Sequence, residues 1–500
     1  MYVYRRRGVA LVGLLGLVGA LVAGVPAPAV AGEPAAGPAA TPLEWATCPG
    51  DVVVPAGVQV RCASVPVPLD YSDPDGDQIE IMVSRIASTK PEKRRGVLLS
   101  NPGGPGGSGL GFPGLLIQQG LPASVMDAYD LIGMDTRGIG HSAPVSCGFT
   151  AGERYFANVP PYAPDDAAVV EWAKVVEAVA AKCAENDTDG RLRHITTANK
   201  ARDLDRIRAA LGEEKASFYG ASYGSALGSA YASMFPDTTD RVVVDSIIGD
   251  THLDRDGLRR FAHGFEETFP DFAKWAAARH ASYGLGRTPE QVRKTYFAIA
   301  ERLDRTPAAD GTDGAAFRFG TFFGLYGESL YGVTAQSWQW YLDPESAPTT
   351  KMAADPNPFD NSLTVFLTVT CNDVEWPRDL ATYRRAVAED RKRYPMFGAA
   401  AANIIPCAYW RYEPSEPPVE IADVGPANVL ILQNRHDPVT PHAGARLLHE
   451  KFGERSRLVT ADESGHGVYV LGGNACALNI TTSYLVGGKL PAKDTTCRRG

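Results

Sequence analysis

Three side chains, far apart in the chain, could together perform nucleophilic acyl transfer: Ser222, Asp437 and His466. Ser222 is the centre of Gly220-Ala221-Ser222-Tyr223-Gly224, where glycines two residues to either side make room for a tight, strained turn. A serine hydroxyl is a weak nucleophile until a base takes its proton and an acid orients that base. Random order would give about 0.2 matches to such a five-residue pattern in a chain of this size, so the pattern alone is weak. Its setting says more. Lys215–Gly220 (KASFYG) reads as a short strand and Ser225–Phe235 as a helix of small residues. Strand, turn and helix present such a serine at a sheet edge, beside a helix N-terminus that favours negative charge.

The partners follow in the order Ser, Asp, His, each on a loop after a strand. Asp437 closes the run NVLILQNRH and precedes Pro438–Pro441, where a helix begins. His466 lies in Glu463-Ser464-Gly465-His466-Gly467, just after the strand-like RLVT, and the flanking glycines let that loop aim an imidazole. The chain has nine histidines, and most are expected to be structural. His436 and His442 share the Asp437 loop and would reach the serine awkwardly; His141 sits in an earlier turn-rich loop. Asp245 and Asp250, at the end of the strand after the elbow, rival Asp437 as the acid. Thr440 reads as a helix cap or a brace for the Asp437 loop. An oxyanion needs two N–H donors. Tyr223, the residue after the nucleophile, would give one, and the loop Asn101-Pro-Gly-Gly-Pro-Gly-Gly-Ser108 the other, through Gly104. That loop could be a plain Gly/Pro turn, but its place after a strand and upstream of the elbow favours the oxyanion role.

These residues need a scaffold. Strand-like runs occur at Val58–Pro66, Gln78–Ala87, Gly96–Ser100, Tyr129–Asp135, Arg241–Ile248, Asn428–Gln433 and Ser456–Thr460, with helical spacing at Thr197–Leu211 and His442–Phe452. Between Asp250 and about Pro418 the pattern changes to amphipathic helices (Asp256–Arg279, Pro289–Arg302) and dense aromatics, notably Phe317–Tyr331. Strand–helix alternation on both sides of a helical stretch indicates a mostly parallel α/β sheet with an inserted helical lid. The expected division is a core over residues 45–249, a lid over 250–418 and the rest of the core over 419–500.

The chain has 500 residues, 44% hydrophobic and 21% charged, the balance of an ordinary globular protein. Arg5–Arg7, the apolar run Val9–Val22 and Ala29-Val30-Ala31 read as an export signal over residues 1–31, and the Pro/Ala-rich residues 32–44 as a disordered linker. Removing 1–31 takes away three arginines and no acids, moving the net charge from −9 to −12. This argues against nucleic acid or an anionic membrane as partner. Eight cysteines in an exported chain suggest four disulfides. Nearest-neighbour pairing (48–62, 147–183, 371–407, 476–497) is expected because it closes short loops, although eight cysteines allow 105 pairings. No C-x-x-C, H-E-x-x-H or S-x-x-K pattern occurs, so neither a metal site nor a β-lactamase-type serine is indicated.

Taken together, DTRGIGHS (Asp135–Ser142), GGPGG (Gly103–Gly107), GASYG and the Asp437 and His466 loops resemble the secreted α/β-hydrolase peptidases of the proline iminopeptidase and tripeptidyl aminopeptidase group. The likeness runs from about residue 44 to the C-terminus. Proline iminopeptidases usually carry H-G-G-P-G, and Pro102 stands here in place of the histidine, as fits the tripeptidyl branch. The resemblance implies an α/β-hydrolase fold and cleavage of short peptides from free N-termini, without metal or cofactor. Such an enzyme must hold a protonated amine, and Asp373 and Glu375 in Cys371-Asn372-Asp373-Val374-Glu375 are the candidates; the alternative is an acidic helix cap or a pair with Arg378. The aromatics of Phe317–Tyr331 are either lid packing or an apolar substrate wall. Competing readings are a carboxylesterase or lipase-like hydrolase on the same triad, and a non-catalytic binding module on a hydrolase fold.

Overall fold

The computed structural model describes residues 42–151, 153–155, 158–343 and 357–499. The export-signal reading, and all but the end of the linker reading, lie outside the described residues.

Among the described residues ten strands form one sheet: β1 (Ala46–Thr47), β2 (Arg61–Pro68), β3 (Gln78–Ile86), β4 (Gly96–Asn101), β5 (Tyr129–Met134), β6 (Ala216–Ala221), β7 (Thr239–Asp245), β8 (Val429–His436), β9 (Ser456–Ser464) and β10 (Thr495–Cys497). Their order is β1-β2-β3-β5-β4-β6-β7-β8-β9-β10. The first three are antiparallel and β3 runs antiparallel to β5, but every pair from β5 to β10 is parallel. Every residue of β4, β5 and β6 is buried. Both faces of these strands are covered, which is why GVLLSN, YDLIGM and ASFYGA show no polar alternation. Tyr219, Val243, Leu430 and Leu432 pack on one face, Phe218, Val244, Val429 and Ile431 on the other. Pairing of Asn101 with Gly220, Ala221 with Asp245 and Asp245 with Leu432 brings the C-terminal ends of β4, β6, β7 and β8 to one edge. Loops leaving that edge are where open α/β sheets place their sites.

Several expected strands differ at their ends from those observed, β2 beginning at Arg61 rather than Val58 and β8 running to His436 rather than Gln433, and two of the differences bear on the site. The run Arg241–Ile248 stops at Asp245 because Ser246 takes φ 59°, a left-handed turn that breaks the ladder. The strand expected to end at Thr460 continues to Ser464 and carries the chain to the His466 loop.

Between β7 and β8 the regular elements among the described residues are helices. They include Arg255–Ala278, Pro289–Arg305, Gly314–Gly324, Tyr331–Leu342, Asp360–Asp373 and Leu380–Arg393. Several start on an N-cap that satisfies a free N–H of the first turn: Asp254 for Gly257, Thr288 for Gln291, Asp313 for Ala316 and Asp379 for Thr382. The helices close on a cluster of rings in which Phe322 lies 4.7 Å from Phe397 and Phe272 lies 5.2 Å from Trp338. Phe317, Phe322 and Tyr331 are buried in this cluster, so half of the run's six aromatics are packing, while Phe323 is 54% exposed. The four disulfides join Cys48–Cys62, Cys147–Cys183, Cys371–Cys407 and Cys476–Cys497, the pairing that closes the shortest loops.

Candidate active site

Ser222 leaves β6 with φ 58° and ψ −124°, a conformation that costs a non-glycine residue on the order of 1–3 kcal/mol. The surroundings hold it there. Its N–H donates to the Asp245 carbonyl (2.8 Å), and its carbonyl accepts from Ser225 N–H (2.7 Å). Glycine is required on both sides because a Cβ at Gly220 would lie 2.3 Å from the Gly224 carbonyl oxygen, and one at Gly224 would lie 2.7 Å from that of Asn101. Tyr223 opens the helix Tyr223–Met234, so its N–H belongs to the first turn and has no acceptor within the helix.

Asp437 is fully buried just beyond β8, where its carboxylate is held by its own loop and by His466. Oδ1 accepts from the N–H groups of Val439 and Thr440 (2.9 Å each), and Oδ2 from the Thr440 hydroxyl (2.7 Å). His466 Nδ1 lies 2.9 Å from Oδ2. Burial alone would lower the imidazole pKa, but the Asp437 charge and hydrogen bond, with Asp245 behind them, raise it above its ordinary 6.5. With Nδ1 turned to the carboxylate, Nε2 is the nitrogen left to exchange a proton. Asp245 is also fully buried, yet it does a different job from Asp437. It accepts the N–H groups of Val468 and Tyr469 (3.0 and 2.9 Å) and the Tyr219 hydroxyl (3.1 Å). The Ser246 hydroxyl next to it takes the Gly467 N–H at 2.8 Å. The end of β7 therefore anchors the backbone of the His466 loop to the elbow strand. Asp250 instead pairs with Lys451 on the surface.

The remaining histidines named above have other partners. His436 bonds Asp271 (2.6 Å), His442 bonds Thr460 (2.8 Å) and His141 bonds Asp51 (3.0 Å).

On the other side of Ser222 lies the glycine loop after β4. A Cβ on Gly103 would be 2.2 Å from the Ala221 carbonyl oxygen and 2.7 Å from Ser222 Cβ, so this backbone touches the elbow directly. Gly103 N–H donates to Asn101 Oδ1 at 3.0 Å. Gly104, with φ 43°, has open space where its Cβ would be. The Tyr223 side chain runs inward, and its hydroxyl meets Thr197 Oγ1 at 2.7 Å. Asp373, 6% exposed, accepts both the Thr197 N–H (2.8 Å) and its hydroxyl (2.6 Å). Burial pushes the Asp373 carboxyl up to about 6. Glu375 stands apart from these groups. It is exposed on a wide cleft that Glu413, Glu416 and Arg378 also line. Arg378 pairs with Glu413, and Arg202 with Glu416 (2.6 Å). Among the described residues Glu375 has no ion-pair partner.

Sequence reading misses two residues that touch these groups. Tyr326, from the insertion, accepts the His466 N–H on its carbonyl (2.7 Å) and sets its ring edge-on to the imidazole, 5.2 Å between centroids. Lys200 lies fully buried under the glycine loop. Neither carries a motif; only three-dimensional placement reveals them.

Residues 394–497 match the family model described as TAP-like protein. Over 478 residues, 91% of this chain and 86% of the relative, the sequence is 35% identical to a tripeptidyl aminopeptidase of Streptomyces lividans. The chain belongs to the tripeptidyl aminopeptidase family. It is a serine hydrolase of the α/β-hydrolase type. More distant relatives of this family include a serine protease of Mycobacterium tuberculosis, 28% identical over 91% of both chains. Another, named carboxylesterase B, from the same species, is 29% identical over 96% of both. A solved proline iminopeptidase of Mycobacterium smegmatis aligns with 84% of this chain and 97% of its own at 14% identity, with a TM-score of 0.35. Among the described residues, no helix is long and apolar enough to cross a membrane, and no cluster of His, Cys, Asp or Glu could hold a metal ion.

Proposed function

We propose that the protein is an exported serine aminopeptidase that releases short peptides, tripeptides foremost, from free N-termini. The observation that carries this reading is the buried Asp437–His466 pair at the sheet edge where Ser222 is held in its strained elbow, in a chain of this family.

In this reading Ser222 Oγ attacks the scissile carbonyl while His466 Nε2 takes its proton. The tetrahedral oxyanion is received by the N–H groups of Tyr223 and Gly104. Gly104 is favoured over Gly103 because the Gly103 N–H is already bound to Asn101. His466 then returns the proton to the leaving amine, and water hydrolyses the acyl-enzyme by the same route in reverse. Asp437 keeps Nδ1 protonated and stabilises the imidazolium; Thr440 and Val439 hold that carboxylate in place. For the substrate ammonium, Glu375 is the proposed carboxylate, since its neighbours on the cleft are neutralised by arginines. Asp373, the other candidate, turns both oxygens to Thr197 and would act on the amine only through its charge. Export is supported by the four disulfides, which belong in an oxidising compartment.

The test compares hydrolysis of one tripeptide anilide with a free and an acetylated N-terminus, alongside a simple aryl ester. The expected result is a large loss on acetylation, a loss that shrinks in E375Q. The carboxylesterase-named relative favours a second reading on the same triad. Equal rates on free and blocked peptides, with the ester fastest, would establish that reading instead.

A further inference from the structure

Lys200 is one of the largest fully buried side chains, 1% exposed, on the helix Thr197–Ala210. A packing role is better served by an apolar side chain, because a buried ammonium must recover its lost hydration through specific partners. Its partners all belong to one place. Nζ donates to the Pro105 carbonyl at 3.0 Å, in the middle of the glycine loop, and lies 5.3 Å from the centre of the Tyr223 ring. Three residues earlier on the same helix, Thr197 bridges the Tyr223 hydroxyl to Asp373. Burial lowers the Lys200 pKa to about 7, against the pull of Asp373. The loop is also pressed from outside, since a Cβ on Gly106 would fall 2.1 Å from the Ser362 carbonyl oxygen of the insertion helix Asp360–Asp373.

Both proposed oxyanion donors therefore hang from one buried cluster: Gly104 through Pro105 and Lys200, Tyr223 through its own side chain and Thr197. We propose that Lys200 is a positioning residue for the oxyanion hole, fixing the Gly103–Gly107 loop against the elbow through its bond to the Pro105 carbonyl. This rests on the serine-hydrolase reading given above. A fixed donor geometry in a water-poor site acts mainly on the transition state, where the negative charge appears.

The test is Lys200→Met, with Lys200→Gln as the conservative variant whose amide can still donate to the Pro105 carbonyl. On a tripeptide anilide, K200M is expected to lower kcat by on the order of 10- to 100-fold while KM changes less than about threefold. Inhibition by the matching peptide aldehyde, which binds Ser222 as a tetrahedral adduct, should weaken by the same factor. Inhibition by the product tripeptide should not change. K200Q should recover part of the loss. If K200M does not fold, Thr197→Val and Tyr223→Phe each cut the other arm of the cluster and should show a smaller loss with the same kcat-and-aldehyde signature. An unchanged kcat overturns the proposal, and so does equal weakening of aldehyde and product, which would mark a merely structural role. Ser222→Ala measured alongside separates the two readings. Full activity in S222A overturns the site itself, whereas an inactive S222A with an unaffected K200M overturns only the role of Lys200.

Discussion

Beside His466 the insertion contributes mainly rings, with the Tyr326 carbonyl; beside the glycine loop its helix Asp360–Asp373 is tied to the neighbouring loops by side-chain hydrogen bonds. Tyr326 sits edge-on to the imidazole and contacts Phe322 and Phe323, which lead into the aromatic cluster around Phe265, Phe272 and Trp338. The helix Asp360–Asp373 instead docks through directional bonds. Asn361 Nδ2 donates to the Gly138 and Val145 carbonyls (2.8 and 2.7 Å), and its Oδ1 accepts the Gly140 N–H (3.0 Å). Thr364 takes the Cys147 N–H (2.9 Å), Asn372 caps the Leu192 carbonyl (2.7 Å), and Asp373 holds Thr197. Apolar burial rewards area and tolerates small shifts, whereas a network of buried hydrogen bonds specifies one position. In the proposed site the contrast sets a compliant cover on the imidazole side and a more fixed one on the flank next to the glycine loop. A nucleophile's base must move protons in two directions, but an oxyanion hole must not move at all.

The largest effect tests the core against which both covers are set. Asp437→Asn should lower kcat by about 10⁴-fold with little change in KM, because the amide no longer holds the productive imidazole tautomer. In the wild type the acid limb of kcat/KM should lie above pH 6.5, since the His466 pKa is raised and only the neutral imidazole accepts the serine proton. In D437N that limb should move down. A limb that stays in place would mean another group titrates.

The two covers should then fail differently. Trp338→Ala empties a buried site in the aromatic half and should cost about 3–5 kcal/mol in denaturant unfolding. Asn361→Leu removes three bonds from the polar half and should cost about 2–3 kcal/mol. The smaller stability change should nonetheless bring the larger loss in kcat, measured well below each unfolding midpoint. If kcat instead follows stability in both, the contrast between covers has no functional meaning. Tyr326→Leu keeps bulk but loses the edge-on ring, and should cost about 0.5–1.5 kcal/mol in transition-state stabilisation, a two- to tenfold fall in kcat/KM.

The smallest effect is on pH dependence. His436 bonds Asp271 of the helix Arg255–Ala278, joining the aromatic half to the strand that carries Asp437. The hydrogen bond to Asp271 and its charge raise the His436 pKa despite burial. Burial works against the lowering of Asp271, but its bond to His436 and the histidine charge outweigh it. The histidine contribution is fully present below its unfolded pKa near 6.5 and is lost as pH rises through the raised folded value. The aspartate contribution is present above its unfolded value near 3.8 and is lost as pH falls through the lowered one. Because His436 is 38% exposed, solvent screening limits the pair to under about 1 kcal/mol. The difference in Tm between wild type and His436→Gln should therefore be greatest near pH 5–6 and vanish at mildly alkaline pH.

Much of this arrangement was legible in the chain, and for identifiable reasons. Buried parallel strands announce themselves as unbroken apolar runs, and the elbow by glycines whose added Cβ atoms would strike Gly224 and Asn101. Chain order favours Asp437 and His466 over their neighbours because each follows a strand, and the structure pairs the two side chains. Asp245 was legible only as a rival acid; its binding of the Val468 and Tyr469 N–H groups depends on β7 and the His466 loop meeting in space. Lys200 looked like any lysine on an amphipathic helix, since nothing local says that its stem runs under Pro105. Tyr326 was one aromatic among many in Phe317–Tyr331, where packing and site contact share the same residue types. Long-range juxtaposition, absent from any local pattern, is the common cause.

The most direct test of the central claim is to label the folded protein with a fluorophosphonate and locate the adduct by peptide mass spectrometry. The account predicts one adduct, on Ser222, absent from Ser222→Ala and formed far more slowly in His466→Ala. An adduct on another serine, or none on folded wild-type protein, would contradict it.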